Sequence, residues 1–131
     1  MSSVCWLEDR DERLRRARAL AATDPAAALA LVGSVLAEVP DDLEALRAKA
    51  EILGELGDPA AARACLERLA ALDPRDARVL IDLGDLERDP DRARTLYERA
   101  IAVLDARGDA GPDRAAAERG LAATLVARRA S

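Results

Sequence analysis

The sequence predicts an all-helical protein. Of its 131 residues, 31 are Ala and 20 are Leu, while Phe is absent and Trp and Tyr occur once each. Ala and Leu are strong helix formers, whereas strands favour β-branched and aromatic residues. Asp-Pro pairs recur along the chain, and apolar residues follow them at intervals of three and four, the spacing of one helix face. We therefore expect one domain, residues 1–131, built of about seven helices and no sheet.

Charge and composition exclude several classes of protein. The chain has 20 basic and 25 acidic residues and no His, giving a net charge of −5. Nucleic-acid binding needs a basic surface, and a membrane span needs about 18 consecutive apolar residues. The first residues have no basic region and no apolar stretch of the secretory kind. We expect a cytoplasmic protein that binds neither nucleic acid nor membrane. The bias toward Arg, Ala and Asp suggests a G+C-rich coding sequence, and we expect a bacterial source.

The first four helices follow from a repeat of 34 residues. Residues 24–42 and 58–76 are identical at nine of 19 positions, and each copy begins with Asp-Pro. Asp is a favoured N-cap and Pro a favoured first helical residue, so each pair predicts a helix start. A first helix precedes the first copy, and a helix over 42–56 lies between the copies. Pro40 and Pro74 end the helices before them.

Each predicted helix carries one apolar stripe. The helix over 42–56 places there Leu43, Leu46, Ala50, Leu53 and Leu56. The helix over 59–72 places there Ala62, Cys65, Leu66, Leu69 and Leu72. We interpret both stripes as the buried faces of an antiparallel helix pair, with Gly57 between the two helices.

The last three helices are predicted in the same way. Residues 76–88 carry Val79, Leu80, Leu83 and Leu86, with Gly84 as a small residue where another helix can approach. The helix after Asp89-Pro90 places on its stripe Ala93, Leu96, Tyr97, Ala100, Val103 and Leu104. After the loop at 108–111, Pro112 begins a final helix whose apolar positions are Ala117, Leu121, Ala122 and Leu125, and Gly120 weakens it.

Residues 43–76 resemble the tetratricopeptide repeat. Leu46, Ala50 and Leu53 stand at the first-helix positions of that family, and Gly57-Asp58 stands at its turn. The second helix carries the family's small residue at Ala62, the large apolar residue at Leu66 and the terminator Asp73-Pro74. The resemblance implies a right-handed α-solenoid of antiparallel helix pairs, with repeats at about 9–42, 43–76 and 77–107. Residues 112–130 would then form a capping helix over the last repeat.

Two repeats depart from the family spacing. In the third, Asp89-Pro90 arrives three residues early, so we expect the first helix there to be about one turn short. In the first, strict spacing puts Arg16 at the small position. A turn shortened by two residues aligns Leu14, Ala17 and Ala21 instead. We expect residues 4–7 to pack over the open end of this first pair.

No constellation of catalytic residues is found in the sequence. Without His there is no His-activated nucleophile, and no phosphate- or dinucleotide-binding glycine motif occurs. Cys65 and Tyr97 lie on apolar stripes, so we interpret both as core residues. The acid pairs Glu51–Glu55 and Asp82–Asp85 each supply two carboxylates, which is fewer ligands than a metal site built of oxygen atoms needs. We expect no enzyme activity, no metal and no cofactor.

The resemblance implies a concave binding surface lined by the first helix of each pair. The residues at those positions are Arg10, Arg13, Ala17, Glu44, Arg47, Ala48, Glu51, Glu55, Arg78, Ile81, Asp82 and Asp85. Acids outnumber bases there in the second and third repeats. One interpretation is a solvated face, and the other is an acidic strip that attracts a basic segment of a partner protein or peptide. The carboxylate-clamp pattern of the family is not matched, because Ala17 and Ala48 stand where it has asparagines.

We therefore expect a non-catalytic protein–protein interaction module, acting as an adaptor or assembly factor. A secretion-type or assembly chaperone is the alternative, and it would need a more apolar groove to hold an unfolded client. An enzyme on a helical scaffold is the remaining possibility.

Overall fold

The computed structural model describes residues 3–130, and side chains from residue 9 onward. In this range the chain forms seven helices and no strand, so the all-α prediction and its helix count are confirmed. The helices are α1 (Ser3–Leu20), α2 (Pro25–Glu38), α3 (Leu43–Glu55), α4 (Pro59–Leu72), α5 (Ala77–Leu86), α6 (Pro90–Arg107) and α7 (Pro112–Ala130). They divide into two compact units, Met1–Leu69 and Ala70–Ser131, with the boundary near the end of α4.

Aspartates begin the helices as the sequence predicts. The carboxylate of Asp24 accepts a hydrogen bond from the Ala27 amide at 3.1 Å, and that of Asp58 accepts one from the Ala61 amide at 3.2 Å. Such caps satisfy amides that have no partner inside the helix. The Asp73-Pro74 pair behaves differently. It lies in the turn before α5, whose N-cap is Asp76.

In the first unit α1 packs against α2, α2 packs against α3, and α1 also contacts α3. Leu14 and Ala17 are at most 2% exposed, whereas Arg16 is exposed. The first repeat therefore uses the register shortened by two residues. Residues 4–7 belong to α1, and the predicted packing of their side chains over the open end of the first pair lies outside the described residues. The core of this unit consists of small and aliphatic side chains: Leu14, Ala17, Ala28, Val32, Val35, Ala45, Ala48 and Ile52.

In the second unit α5, α6 and α7 all contact one another. Tyr97 on α6 is 4% exposed and lies at the centre of this packing. A Cβ atom on Gly84 of α5 would lie 2.7 Å from the Tyr97 ring, and one on Gly120 of α7 would lie closer still. Both distances are shorter than van der Waals contact allows, so both helices need glycine to approach the ring. Gly84 confirms the predicted close approach, and Gly120 has a packing role that the sequence did not indicate.

Several residues that the sequence predicts on buried stripes are exposed in the structure. Leu43, Leu56, Leu72 and Leu125 are each at least 38% exposed, and Ala122 is exposed too. The first three lie in the terminal turns of α3 and α4. On α7 the buried positions are Ala117 and Thr124, because this helix turns the side of Gly120 toward Tyr97. Helix α5 has ten residues, against 13 in α3, so its predicted shortening is confirmed.

Candidate functional site

The acidic face of α3 consists of three predicted partner-binding residues that the structure leaves exposed. Glu44, Glu51 and Glu55 are exposed, and Arg47 beside them is half-buried. Within residues 9–130, Glu51 and Glu55 form no ion pair and no side-chain hydrogen bond. A helix rises 1.5 Å per residue, so Glu51 lies about 10 Å and Glu55 about 16 Å along the axis from Glu44. Glu51 and Glu55 therefore present carboxylates that no cation of the described chain compensates.

Two arginines predicted on the same surface lie elsewhere. Arg13 faces α2, where it donates hydrogen bonds to Ser34 at 3.0 Å and to Glu38 at 3.1 Å. Arg10 donates to both carboxylate oxygens of Asp42, at 2.5 and 2.8 Å. The prediction for Arg13 and Arg10 used the strict register. A shift of two residues rotates a position by about 200° around a helix axis, which moves both side chains to other faces of α1.

Three apolar residues of the predicted surface are buried. Ala17, Ala48 and Ile81 are at most 1% exposed and belong to the two cores. They cannot line an open groove, and the prediction is corrected for them. The physical reason is that α3 is covered by both α1 and α2, and α5 by both α6 and α7. Each of these helices therefore buries two faces, where the sequence stripe indicated one.

A charged cleft lies between α1 and α3, where the shifted register places other residues than predicted. Its volume is about 310 Å³, and its lining side chains are Asp11, Leu14, Arg15, Arg18 and Glu44. Such a volume is at the small end of ligand sites, which span roughly 300–1,000 Å³. Of these five residues, only Glu44 was among the predicted site residues. The others could have been found from the alternative register, because it puts Leu14 and Ala17 in the core and turns Asp11, Arg15 and Arg18 outward.

Most charges in this α1–α3 cleft already have partners. Asp11 lies 2.6 Å from Arg10, and Glu44 lies 3.6 Å from the same guanidinium. Arg15 lies 2.7 Å from Glu12. Arg18 has no ion pair and no side-chain hydrogen bond with any residue between 9 and 130. Within that range, the one uncompensated charge in the cleft lining is therefore positive.

The predicted acids of α5 have partners within the second unit. Arg78 lies 3.0 Å from Asp82 and 3.5 Å from Asp113 of α7. Asp85 is exposed, yet it accepts a hydrogen bond from the Tyr97 hydroxyl at 2.6 Å. Of the four predicted site residues on α5, Ile81 is buried and the other three have intramolecular partners. Their charges are less available to a partner than those of α3.

Three pKa shifts have structural causes. The hydrogen bond from Arg10 holds the pKa of Asp42 below its usual value, and the cap to the Ala45 amide adds to this. Burial raises the pKa of the Cys65 thiol, which keeps it protonated and a poor nucleophile. Burial, followed by the hydrogen bond to Asp85, raises the pKa of Tyr97 well above its usual range.

The described chain contains no cluster of three metal-ligating side chains of the His, Cys, Asp or Glu type. None of the seven helices in residues 3–130 combines the length and the apolar character that crossing a bilayer demands. The chemistry that the arrangement offers is charge recognition on α3 and in the α1–α3 cleft.

Comparison with known proteins agrees with the helical repeat. A family model described as "Tetratricopeptide repeat" matches residues 19–85, just over half of the chain. No curated protein matches the sequence. Among solved structures, the TPR domain of Sgt2 from Aspergillus fumigatus is similar, with a TM-score of 0.75, 23% identity and coverage of 92% of this chain and 79% of that one.

Two larger structures contain a similar region. The TPR domain of P58(IPK) has a TM-score of 0.81 and 21% identity, and the match covers 92% of this chain and 34% of that one. A mutant O-GlcNAc transferase from Thermobaculum terrenum has a TM-score of 0.70 and 27% identity, and the match covers 91% of this chain and 22% of that one. The likeness to Sgt2 and P58(IPK) concerns the fold alone.

Proposed function

The chain belongs to the tetratricopeptide-repeat family, whose fold supports protein–protein interaction, and from this premise we propose that it is a non-catalytic adaptor or assembly factor. Its partner is a protein or peptide with a basic segment. The principal contact is the acidic face of α3, defined by Glu44, Glu51 and Glu55, and the charged residues of α5 contribute less. The module acts in the cytoplasm.

The absence of intramolecular partners for Glu51 and Glu55 carries this proposal. Both carboxylates are exposed and have no cation within residues 9–130. They are also one turn apart, where like charges destabilise a helix by a few tenths of a kcal/mol. A basic segment would relieve that repulsion, steer association and make affinity sensitive to salt.

The α5 residues support a smaller role. Arg78, Asp82 and Asp85 already have intramolecular contacts inside the second unit. A partner would have to compete with those contacts, so the gain per residue is smaller. We therefore assign Glu51 and Glu55 the larger share of binding.

The exposed face of α3 favours an adaptor over a chaperone for unfolded clients. A chaperone groove would expose apolar side chains, whereas Ala45, Ala48 and Ile52 of α3 are at most 2% exposed. The exposed side chains between them are charged, and charged rims give selectivity for one partner over many.

Capture from the source organism followed by mass spectrometry tests the proposal. The bait variant Glu51→Arg with Glu55→Arg should lose the specific partner at least tenfold, a change of about 1.4 kcal/mol. The variant Arg78→Glu with Asp82→Arg should lose less. Both baits should keep the thermal midpoint, because exposed substitutions usually change stability by about 0.5 kcal/mol or less.

The matched control reverses charge on the second helices, with Glu67→Arg and Glu98→Arg. Both residues are exposed, and among residues 9–130 their ion pairs are with Arg63 and Arg94 one turn away. This bait should retain the partner. Loss in the control bait alone would move the site to the second helices, and equal retention by all baits would refute the acidic α3 face.

A further inference from the structure

The outer face of α7 is not covered by any helix of the described chain. Helix α7 contacts α5 and α6, and on that side it buries Ala117 and Thr124. Away from that side, Leu125 is 46% exposed and Val126 is 68% exposed. Two neighbouring apolar side chains do not by themselves identify a partner, so the occupant has to be argued from the residues around them.

Four exposed residues form a straight stripe along this outer face. Glu118, Ala122, Leu125 and Arg129 follow one another at intervals of four, three and four residues, which keeps them within about 60° around the helix axis. Val126 flanks them. The order of the four side chains is acid, small, large and base. This order is complementary to itself when a second copy of the helix runs in the opposite direction.

We propose that this α7 stripe binds the α7 stripe of a second copy of the chain. The two helices run antiparallel, and a two-fold axis passes between Ala122 and Leu125. Glu118 then faces Arg129 of the second copy, and Ala122 faces Leu125 of the second copy. Each contact occurs twice, as in any two-fold interface. The proposed function uses residues of α3 and α5, so this contact is independent of it.

The charges of the stripe are available for this pairing. Arg129 has no ion pair and no side-chain hydrogen bond with any residue between 9 and 130. Glu118 lies 3.1 Å from Arg114, but Arg114 also binds Asp105, so two carboxylates share one guanidinium. The Glu118 side chain is 56% exposed, and an ion pair of that kind contributes little. Arg119 lies about 100° from Glu118 around the axis, so it stays in solvent beside the stripe.

The same side chains fix the direction of the second helix. In a parallel pair each Glu118 would face the other Glu118, and each Arg129 the other Arg129, which like-charge repulsion disfavours. The apolar pair also suits the antiparallel arrangement. Packed helices lie about 8–10 Å apart, and the small Ala122 leaves room at that distance for the larger Leu125.

The size of the stripe predicts a weak dimer. From Glu118 to Arg129 the stripe extends about 16 Å along the axis. A contact of that length buries less than the roughly 1,200 Å² at which stable complexes begin. We therefore expect a dissociation constant of about 0.1–1 mM, so that the protein is monomeric in dilute solution.

Charge reversal tests this pairing on the whole chain. Self-association is measured at low salt from amide chemical shifts and translational diffusion, between about 20 μM and about 1 mM protein. Glu118→Arg and Arg129→Glu should each weaken it at least about fivefold, or about 1 kcal/mol, because like charges then face each other. An equimolar mixture of the two variants should associate about as tightly as wild type. In the mixture, one copy carries two bases on its stripe and the other carries two acids.

Two matched controls accompany these variants. Arg99→Glu reverses an exposed arginine of α6 that has no partner between residues 9 and 130, and it should leave self-association unchanged. Ala122→Gln places a long side chain where Leu125 of the second copy packs, and it should weaken association at least about fivefold. Ala127→Gln changes an exposed alanine about 140° away around α7 and should have no effect. All these positions are exposed, so the thermal midpoints should stay close to that of wild type.

Three results would overturn the inference. The first is a wild-type protein that stays monomeric up to about 1 mM. The second is self-association that Arg129→Glu leaves unchanged, because the contact would then lie on another surface. The third is a mixture of the two charge-reversed variants that associates no better than either variant alone, because antiparallel pairing requires the two to complement each other.

Discussion

The two compact units use different interactions to hold their own helices in place. In the first, α1 is fastened by charged groups: Arg10 binds the N-cap Asp42 of α3, and Arg13 binds Ser34 and Glu38 of α2. In the second, an aromatic ring has this role, since Tyr97 of α6 fits against Gly84 and Gly120. Among the side chains described from residue 9 onward, the buried members of the first core are Leu, Val, Ile and Ala.

The difference extends to the surface. In the second unit Asp82 and Asp85 are satisfied by Arg78 and Tyr97, so its acids complete the fold. In the first, Glu51, Glu55 and Arg18 have no partner between residues 9 and 130. An acid that already stabilises the fold offers less to a partner. The contrast therefore favours recognition on the first unit and packing specificity in the second.

Deleting residues 112–131 should have the largest effect. Helix α7 covers Tyr97 and buries Ala117, so its removal exposes an apolar face on α5 and α6. We expect aggregation or binding of an apolar dye, because terminal helices shield the last repeat of such arrays. Size-exclusion chromatography and dye fluorescence check this. A truncated protein that stayed monomeric with an unchanged thermal midpoint would show that α7 is not a cap.

Alanine at two helical glycines should change stability in opposite directions. Gly120→Ala places a Cβ against the Tyr97 ring, which cannot retreat because Gly84 lies on the ring too. Overpacking of this kind costs about 1–3 kcal/mol and exceeds the gain of about 1 kcal/mol in helix propensity.

The control is Gly33→Ala in the first unit. Gly33 is exposed, and a Cβ atom added there would meet nothing within 4 Å, so alanine should stabilise by about 0.5–1 kcal/mol. Urea denaturation of both variants measures the difference. Stabilisation by Gly120→Ala would contradict the tight fit around Tyr97.

Two substitutions of Asp42 should separate the stability contributed by its helix cap from that contributed by its ion pair with Arg10. Asp42→Ala removes both and should destabilise by roughly 1–3 kcal/mol, since it also leaves the half-buried Arg10 without its partner. Asp42→Asn should be milder, because asparagine caps a helix about as well as aspartate.

The ion pair with Arg10 also makes the stabilisation by Asp42 depend on pH. Arg10 lowers the pKa of Asp42 in the folded state, so the added stability is complete above the unfolded pKa of about 3.8 and is lost as the pH falls through the lowered folded value. The free energy of unfolding of the wild type should therefore be larger than that of Asp42→Asn at pH 7, and the two values should converge near pH 2. Urea titrations at both pH values measure this, and a constant difference would refute the pair.

The sequence predicted those features that depend on local chemistry. The aspartate caps, the seven helices, the short α5 and the small residue at Gly84 all follow from residue type and spacing. The packing role of Gly120 could not be predicted, because its partner Tyr97 is on another helix. A glycine in a helix indicates by itself only a weak helix propensity. Arg13 was placed on the wrong face by the strict register, since two residues rotate a side chain by about 200°.

Which surface charges form ion pairs could not be predicted from the sequence either. Glu51 and Asp82 both lie at predicted groove positions on the first helices of two repeats, and composition gives no reason to rank them. Only the structure shows that Asp82 lies 3.0 Å from Arg78, while Glu51 has no partner between residues 9 and 130. The ion-pair partners of long side chains depend on the tertiary structure, which the local sequence pattern does not specify.

The comparison of Glu51 with Asp82 gives the most direct test of the account. Each is neutralised alone, as Glu51→Gln and Asp82→Asn, and the affinity of the captured partner is measured by calorimetry at low and at physiological salt. We predict a loss of about fivefold or more for Glu51→Gln, weaker at higher salt, and less than about twofold for Asp82→Asn. Equal losses, or a larger loss for Asp82→Asn, would contradict the claim that the unpaired acids of α3 carry recognition.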